Sequence, residues 1–415
     1  MGTAGAGGWG PFARTVAGLA FVGLALAGCT GDDEQTTSPT NAPPSSEPVT
    51  TPSAGPSPTD EPTPTPVPTA SPTPVPPDGP DTIEVLERGD LLSGLDVPWG
   101  LAYTADGTAV LTLRERAALM VVPPGGRPAA VAGPGAEQLV DVVAPVGEAG
   151  LLGVAVLGES AAGVDLVLYA TTDTDNRVLR GTLTGTSLGE LTPILTGIPH
   201  ASYHDGGRLA VGPDGCLYVS TGDAGVRSSS QDLDSLGGKI LRITATGHPA
   251  PGNPFDGSPV WSYGHRNVQG MGWAADGRMF ASEFGQDTWD ELNLVVPGGN
   301  YGWPLVEGSD GGDRGLVEPL ATWRTDDASP SGLAVTDEGV YLAGLRGQVL
   351  WRLPLRPSDE GAGVGRAQAL LDGVLGRLRA VVVAPDGSLT VLTNNTDGRG
   401  TPRAGDDRAV RVVVG

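Results

Sequence analysis

The stretch GRLAVGPDGCLYVSTG, residues 207–222, contains the pattern that decides the fold. Two short apolar runs flank the turn sequence Pro213-Asp214-Gly215. Asp-Gly favours a tight β-hairpin because glycine adopts a positive φ without steric cost. The stretch therefore predicts two antiparallel strands joined by a short turn.

Related turns recur along the chain, clearly at TADG (Asp106), AADG (Asp276) and APDG (Asp386), and more weakly at TDEG (Asp337) and GVDL (Asp165). With the turn at 214, the six aspartates are separated by 59, 49, 62, 61 and 49 residues. Each unit is long enough for a four-stranded blade, and no window sustains helical spacing. We expect an all-β fold over residues 81–415, a six-bladed β-propeller with four-stranded antiparallel blades. The aspartates are predicted to form turns and to have no role in a site.

The N-terminal residues 1–29 have the layout of a secretory signal peptide: Arg14, then an apolar run over 16–27, then Gly28-Cys29. Leu26-Ala27-Gly28-Cys29 resembles the bacterial lipobox, which predicts a lipoprotein acylated on Cys29. The protein would then lie outside the cytoplasm, attached to the membrane through a lipid anchor only, because the apolar run is too short to span a bilayer. The alternative is an ordinary secretory signal.

Residues 30–80 contain 16 of the 38 prolines, together with many Thr and Ser residues. Such a composition cannot build a packed core and favours an extended polyproline conformation. We predict a disordered Pro/Thr/Ser-rich linker between the anchor and the folded domain.

The charge of the protein limits its partners. Its 25 basic and 48 acidic residues give a formal net charge of −23. Nucleic acid is an unsuitable partner, because phosphate binding requires a basic surface. After acylation of Cys29, Cys216 would be the only free thiol, so no intramolecular disulfide is expected.

A histidine and an aspartate flank the hairpin quoted above. His204 precedes the first strand and Asp223 follows the second, so the two side chains can meet at one end of the blade. A carboxylate beside an imidazole fixes its tautomer and makes it a general base. The pair is either catalytic or a structural hydrogen bond within a loop.

Two further segments concentrate polar groups. WSYGHRNVQG, residues 261–270, predicts either a loop that faces a ligand or a hydrogen-bonded connection between blades. SEFGQDTWDELN, residues 282–293, offers Glu283, Asp287, Asp290 and Glu291 in a Gly-containing loop. Hard oxygen ligands on loops suit calcium, and an acidic surface loop is the alternative.

Ten segments occur in an order that resembles a known family. They are VPWGLAY, GEAGLLGVAV, YHDGGRLAVGPDG, STGDAG, SLGGKILRI, YGHRNVQG, SEFGQDTWDELN, GGNYGWP, SPSGLAV and GRLRAVVVAPDG. From about Val97 to the C-terminus, the chain is similar to the soluble glucose dehydrogenases and aldose sugar dehydrogenases, which use pyrroloquinoline quinone (PQQ). The resemblance implies oxidation of an aldose at its anomeric carbon to the lactone. Since the chain has no haem or cluster motif, an external acceptor, which the sequence does not name, would take the electrons.

The resemblance also implies roles for individual residues. His204 would be the general base, Asp223 would orient it, and Arg266 would stabilise negative charge that develops on the quinone oxygen. The implied cofactor contacts are Arg266, Asn267, Gln269, Arg346, Arg377, Arg379 and Glu148. Glu148 stands where the family usually has glutamine. Because PQQ carries three carboxylates, a cluster of arginines would pair with it.

Calcium is implied in the same way. A catalytic Ca²⁺ in the family binds the backbone carbonyls of a Gly-Pro pair, which corresponds here to Gly285 and Gln286, so the proline is missing. A second, structural Ca²⁺ corresponds to Glu291 and the Tyr301 carbonyl. Trp99 and Trp303 are expected to pack in the core or at the rim, and Trp323 to line the substrate cleft.

Two alternatives to the dehydrogenase remain open at this stage. The first is a propeller that binds a partner and has lost its chemistry, since a fold does not fix a function. The second is a calcium-dependent lactonase, which would hold its ion with several carboxylates in the central channel. The sequence identifies neither the sugar nor the oligomeric state.

Overall fold

Six antiparallel sheets form a ring, and the computed structural model describes residues 79–357 and 363–415 of the chain. The predicted six-bladed β-propeller is confirmed. The signal peptide, Cys29 and almost all of the linker lie outside the described residues. Gly79, the first described residue, is buried and donates its N–H to the Leu355 carbonyl at 3.2 Å.

The first three blades follow one another along the chain. The first consists of β2 (Pro98–Tyr103), β3 (Ala109–Leu113), β4 (Ala118–Val122) and β5 (Ala129–Ala130), after β1 (Val85–Leu92). Helix α1 (Pro134–Val142) leads to the second blade, β6 (Leu151–Ser160), β7 (Gly163–Thr171), β8 (Asn176–Thr184) and β10 (Thr192–Ile198), with the additional short strand β9 (Ser187–Leu188) paired to β8. The third comprises β11 (Leu209–Val211), β12 (Leu217–Ser220), β13 (Lys239–Ile243) and β14 (Val260–Tyr263), with a 3-10 turn at Arg227–Ser230.

The remaining blades have the same plan. The fourth contains β15 (Val268–Trp273), β16 (Met279–Glu283), β17 (Trp289–Val295) and β18 (Ala321–Arg324), with a 3-10 turn at Gly312–Arg314. The fifth contains β19 (Pro330–Thr336), β20 (Gly339–Gly344), β21 (Leu350–Leu353) and β22 (Gln368–Leu370). The sixth contains β23 (Leu378–Val383), β24 (Leu389–Thr393), β25 (Ala409–Val414) and, at its outer edge, β1. The first strand therefore closes the ring by pairing with the last.

Five of the six predicted aspartate turns join the first two strands of a blade. In four of these turns, at Asp106, Asp214, Asp276 and Asp386, the carboxylate accepts the N–H two residues later at 3.0 or 3.1 Å, and this contact stabilises the turn. The prediction at Asp165 is wrong. That residue lies inside β7, where it pairs with Arg180, and the turn of its blade falls between Ser160 and Gly163.

The innermost strands are β2, β6, β11, β15, β19 and β23, and each contacts the innermost strand of both neighbouring blades. Apolar side chains fill the spaces between blades, and Trp99 is buried in this way. Trp323 is also in an apolar cluster, so the expectation that it lines the substrate cleft is wrong. Cys216 is a free thiol. Within the described residues, no helix has both the length and the apolar character needed to cross a bilayer.

Candidate active site

His204 and Asp223 meet at one end of the third blade. The pairing of β11 with β12 brings the segments before and after this hairpin together, and His204 Nδ1 lies 2.7 Å from Asp223 Oδ1. The backbone requires this close approach, since a Cβ atom on Gly222 would lie 1.8 Å from the His204 carbonyl oxygen. His204 itself has a φ of 59°, an uncommon conformation for a residue other than glycine.

The surroundings of Asp223 keep its carboxylate ionised. Burial raises the pKa of Asp223, but hydrogen bonds from His204, the Gly225 N–H and the Trp303 indole lower it by more, so the net shift is downward. The indole donates to Oδ2 at 2.8 Å and the Gly225 amide donates to Oδ1 at 2.8 Å. An ionised Asp223 accepts a hydrogen bond from the N–H at His204 Nδ1 and leaves Nε2 as the basic atom.

Ten of the predicted residues surround one cavity of about 240 Å³. Its lining includes Glu148, His204, Arg266, Asn267, Gln269, Gly285, Gln286, Arg346, Arg377 and Arg379. Asp223 lies behind His204 and is 1% exposed. Glu291 and Tyr301 do not line this cavity. Side chains from positions as distant as 148 and 379 in the sequence therefore converge on one place.

Two arginines enter the cavity from the start of β23. Arg377 pairs with Asp397 at 3.1 Å. Arg379 has no carboxylate partner among the described residues: its Nη1 donates to Gln269 Oε1 at 2.9 Å and to the Ser331 hydroxyl at 3.3 Å, and its Nε is buried without a partner. Burial, together with the nearby Arg114 and Arg377, lowers the pKa of Arg379 to about 9. A buried guanidinium in this state favours an anionic ligand.

Arg266 lines the same cavity and lies over the ring of Trp303. Its Cζ is 5.5 Å from the indole centroid, and its Nη2 and Nε donate to Gln286 Oε1 at 3.0 and 3.2 Å. Burial lowers its pKa. Its neighbour Asn267 accepts the Gly206 N–H through Oδ1 at 3.0 Å, which leaves the Asn267 Nδ2 group available to a ligand.

The charge of Glu148 is balanced by a residue that the sequence did not indicate. Arg399 Nη1 lies 2.7 Å from Glu148 Oε1, and both side chains line the cavity. Burial raises the pKa of Glu148, but Arg399 lowers it by more, so Glu148 is ionised. The Oε2 atom of Glu148 accepts a hydrogen bond from the backbone N–H of His204 at 3.3 Å. Arg346 is at the rim, 62% exposed and paired with Asp326.

The loop at 285–289 is held by another residue outside the predicted set. Glu307 Oε1 accepts four successive amides, those of Gln286, Asp287, Thr288 and Trp289, at 2.8 to 3.1 Å. Proline at position 286 would have no N–H to donate. The glutamine therefore supplies the loop with a hydrogen bond to Glu307 and supplies Arg266 with a side-chain acceptor.

Glu291 and Tyr301 lie in a separate polar network. Glu291 accepts the Gly308 N–H and the Asn293 amide at 2.8 and 3.1 Å, while the Tyr301 ring stacks on His265 at 4.4 Å. Burial and the neighbouring Glu283 raise the pKa of Glu291. Asn293 Oδ1 is buried without a donor. Among the described residues, no three His, Cys, Asp or Glu side chains form a metal-binding group.

A family model for glucose/sorbosone dehydrogenases matches residues 95–401. The chain belongs to this family. PQQ-bound aldose sugar dehydrogenase from Streptomyces coelicolor is 46% identical over 81% of the chain and all of that protein, with a TM-score of 0.75. A Thermus thermophilus protein described as a glucose dehydrogenase is 41% identical over 79% of the chain and 99% of its own, with a TM-score of 0.72. Aldose sugar dehydrogenase YliI of Escherichia coli is 29% identical over 73% of this chain and 89% of that one.

This member of the family departs at positions 148 and 286 from the residues that the resemblance implied, and in both places the structure contains a partner for the side chain that is present. Glu148 is paired with Arg399, and Gln286 with Arg266 and Glu307. No local sequence pattern identifies Arg399, because it is 251 residues from Glu148.

Proposed function

We propose that this protein is a PQQ- and calcium-dependent aldose dehydrogenase that oxidises a sugar at its anomeric carbon to the lactone. One observation carries the proposal: the buried Arg379 guanidinium, for which the described residues supply no carboxylate partner, lines the same cavity as the His204 imidazole held by Asp223. A cluster of cationic groups beside a base is what a tricarboxylate cofactor and a hydroxyl substrate require.

The residues present suit PQQ. Arg377 and Arg379 would pair with its carboxylates, and Arg266 and Asn267 would contact the ring system. Arg346, Arg399 and Glu148 lie at or near the rim, and Gln269 would act through Arg379, which it orients. When bound, PQQ supplies the acceptor for the hydride that leaves the anomeric carbon.

The chain itself would handle the proton. His204 Nε2 would take the proton of the anomeric hydroxyl, and the ionised Asp223 would stabilise the resulting imidazolium. Arg266 would stabilise negative charge that develops beside it, and its effect would be strengthened because it is buried. The electrons would pass finally to an acceptor outside the chain.

Calcium fits two places in the proposal. The carbonyls of Gly285 and Gln286 would bind a catalytic ion, on a loop that Glu307 already holds. Glu291 and the Tyr301 carbonyl would bind a structural ion. The raised pKa of Glu291 and the unpartnered Asn293 Oδ1 support this second site, because a cation would stabilise both groups.

Reconstitution tests the proposal. The purified apoprotein should gain dye-linked oxidation of one or more aldoses when PQQ and Ca²⁺ are added together, and much less with either alone. PQQ binding without turnover on a broad sugar panel would favour the binding module. Hydrolysis of a lactone without any electron acceptor would favour the lactonase.

Removal of the proposed base separates turnover from cofactor binding. His204→Ala should abolish turnover and keep PQQ binding largely intact, since the arginines remain. Normal turnover in this variant would show that His204 is not the base.

We also propose that the enzyme is a lipoprotein outside the cytoplasm. The tetrapeptide ending at Cys29 supports this location. Cys29→Ser in the full chain should move the protein from the membrane fraction to the soluble fraction. Unchanged membrane association, with no lipid on Cys29 in the wild type, would contradict the anchor.

A further inference from the structure

The central channel has a second opening, at the end opposite the candidate active site. The active-site residues precede the innermost strands, as His204 precedes β11 and Arg377 precedes β23. The second opening is formed where these strands end. We call it the axial funnel and define it by one residue from each blade: Tyr103, Val156, Val211, Trp273, Val335 and Val383. Its volume is about 400 Å³.

The side chains that line the axial funnel are aliphatic or aromatic, with one exception. Of the residues that the structure describes, Arg208 is the only charged one that lines the funnel, and no acidic side chain of this part of the chain balances the guanidinium there. A charged group in apolar surroundings is costly unless it is paired.

The guanidinium of Arg208 is only partly satisfied. Its Nε donates to the Gln269 carbonyl at 2.8 Å, and its Cζ lies 4.2 Å from the centre of the Trp99 ring. Its Nη2 is buried without a hydrogen-bond partner. In the described part of the chain Arg208 forms no ion pair, and burial lowers its pKa to about 9. The indole compensates for part of the lost hydration, but the end of the guanidinium still lacks an acceptor.

We propose that the axial funnel is a binding site for a small organic monoanion, whose carboxylate pairs with Arg208 and whose apolar body packs against the valines and Trp273. The single positive charge favours a monoanion over phosphate or sulfate, because a second negative charge would remain unpaired among apolar walls. The geometry of a guanidinium suits the two oxygens of a carboxylate. Arg208 is not among the residues that line the cofactor cavity, although it contacts the backbone of Gln269, which is one of them. Failure of 4-bromobenzoate to bind in the axial funnel would therefore leave the proposed oxidation untouched.

A brominated probe tests the site. 4-Bromobenzoate should bind when it is titrated calorimetrically into the full chain. The neutral 4-bromobenzamide should bind with an affinity at least about tenfold lower, because it lacks the negative charge that pairs with Arg208. Arg208→Met should weaken binding of the anion by a similar factor. Arg127→Met, at an exposed arginine, is the matched control and should leave binding unchanged.

Anomalous diffraction from the bromine locates the probe in the wild-type protein and does not depend on whether Arg208→Met folds. A bromine peak among the valines of the axial funnel would support the proposal. A peak only beside Arg377 and Arg379, or no peak, would overturn it. Equal binding of the anion and the amide would also overturn it.

Discussion

Replacing Asp223 by asparagine tests how the candidate base is controlled. The carboxylate accepts three hydrogen bonds, from His204 at 2.7 Å and from the Gly225 amide and the Trp303 indole at 2.8 Å. An asparagine has one oxygen and one NH₂ group, so at least one of these three donors would face another donor. One of the two orientations of the amide turns its NH₂ group towards Nδ1 of His204, which then keeps its proton on Nε2, the atom that should be basic.

The size of the effect follows from the loss of a correctly protonated base. General base catalysis contributes about 10²- to 10⁴-fold, and loss of the orienting carboxylate in a comparable His-Asp pair has an effect near the upper end. We expect the hydride-transfer rate of Asp223→Asn to fall by this factor, which corresponds to about 3 to 5 kcal/mol. PQQ affinity should change by less than about threefold, or under 1 kcal/mol, because Asp223 does not line the cavity.

The assay is single-turnover reduction of the bound quinone, followed by absorbance in stopped flow, since steady-state rates also depend on the external acceptor. Asp326→Asn changes the charge by the same amount at an exposed rim residue and is the control. A rate for Asp223→Asn within a few-fold of the control would refute the assignment of Asp223 as the residue that fixes the tautomer.

Three other results are expected. Glu148→Gln should strengthen PQQ binding by about threefold or more in a titration, since it removes a negative charge and frees Arg399, whereas Arg399→Gln should weaken PQQ binding. The factor is modest because the ion pair is partly exposed. Weaker PQQ binding by Glu148→Gln would contradict the pairing. Glu307→Gln should speed hydrogen exchange of the backbone amides at 286–289 by about tenfold, because charge-assisted hydrogen bonds are about twice as strong as neutral ones. Unchanged exchange rates would show that Glu307 does not hold the loop. Burial raises the pKa of Asp205 from 3.8 to about 6, so the folded state favours the protonated carboxyl. The contribution of this group to the unfolding free energy is full below about pH 4 and is lost by about pH 6, a decrease of about 3 kcal/mol. Burial also raises the pKa of Asp290 to about 6, so urea titrations between pH 4 and 8 should show a decrease in both proteins, smaller by about 3 kcal/mol in Asp205→Asn; identical pH profiles would disprove the role of Asp205.

The propeller could be predicted because its information is local. Each Asp-Gly turn lies between two short apolar runs, and the spacing of these turns counts the blades. Asp165 shows the limit of the method: the second blade uses a turn at Ser160–Gly163, and the aspartate five residues later pairs with Arg180. The spacing of the predicted turns still counted the blades correctly, because Asp165 lies only a few residues from the actual turn.

The site was predictable in part. His204 and Asp223 could be paired because both flank one hairpin, whereas the convergence of Arg266, Arg377 and Arg379 was implied only by the family resemblance. Neither the local sequence pattern nor the family resemblance indicated Arg399 or Glu307. Their partners are distant in sequence or depend on the shape of a loop, and an arginine or glutamate in a Gly-rich segment has no pattern of its own.

In the proposed function, the guanidinium cluster beside His204 binds a tricarboxylate quinone. The most direct measurement is an absorbance titration of the purified apoprotein with PQQ in the presence of Ca²⁺, repeated with Arg379→Gln. We expect one PQQ per chain and an affinity reduced about tenfold or more by the substitution, since a hydrogen bond to a charged group contributes about 1.5 to 3 kcal/mol. Absence of saturable binding, or an affinity that Arg379→Gln leaves unchanged, would contradict it.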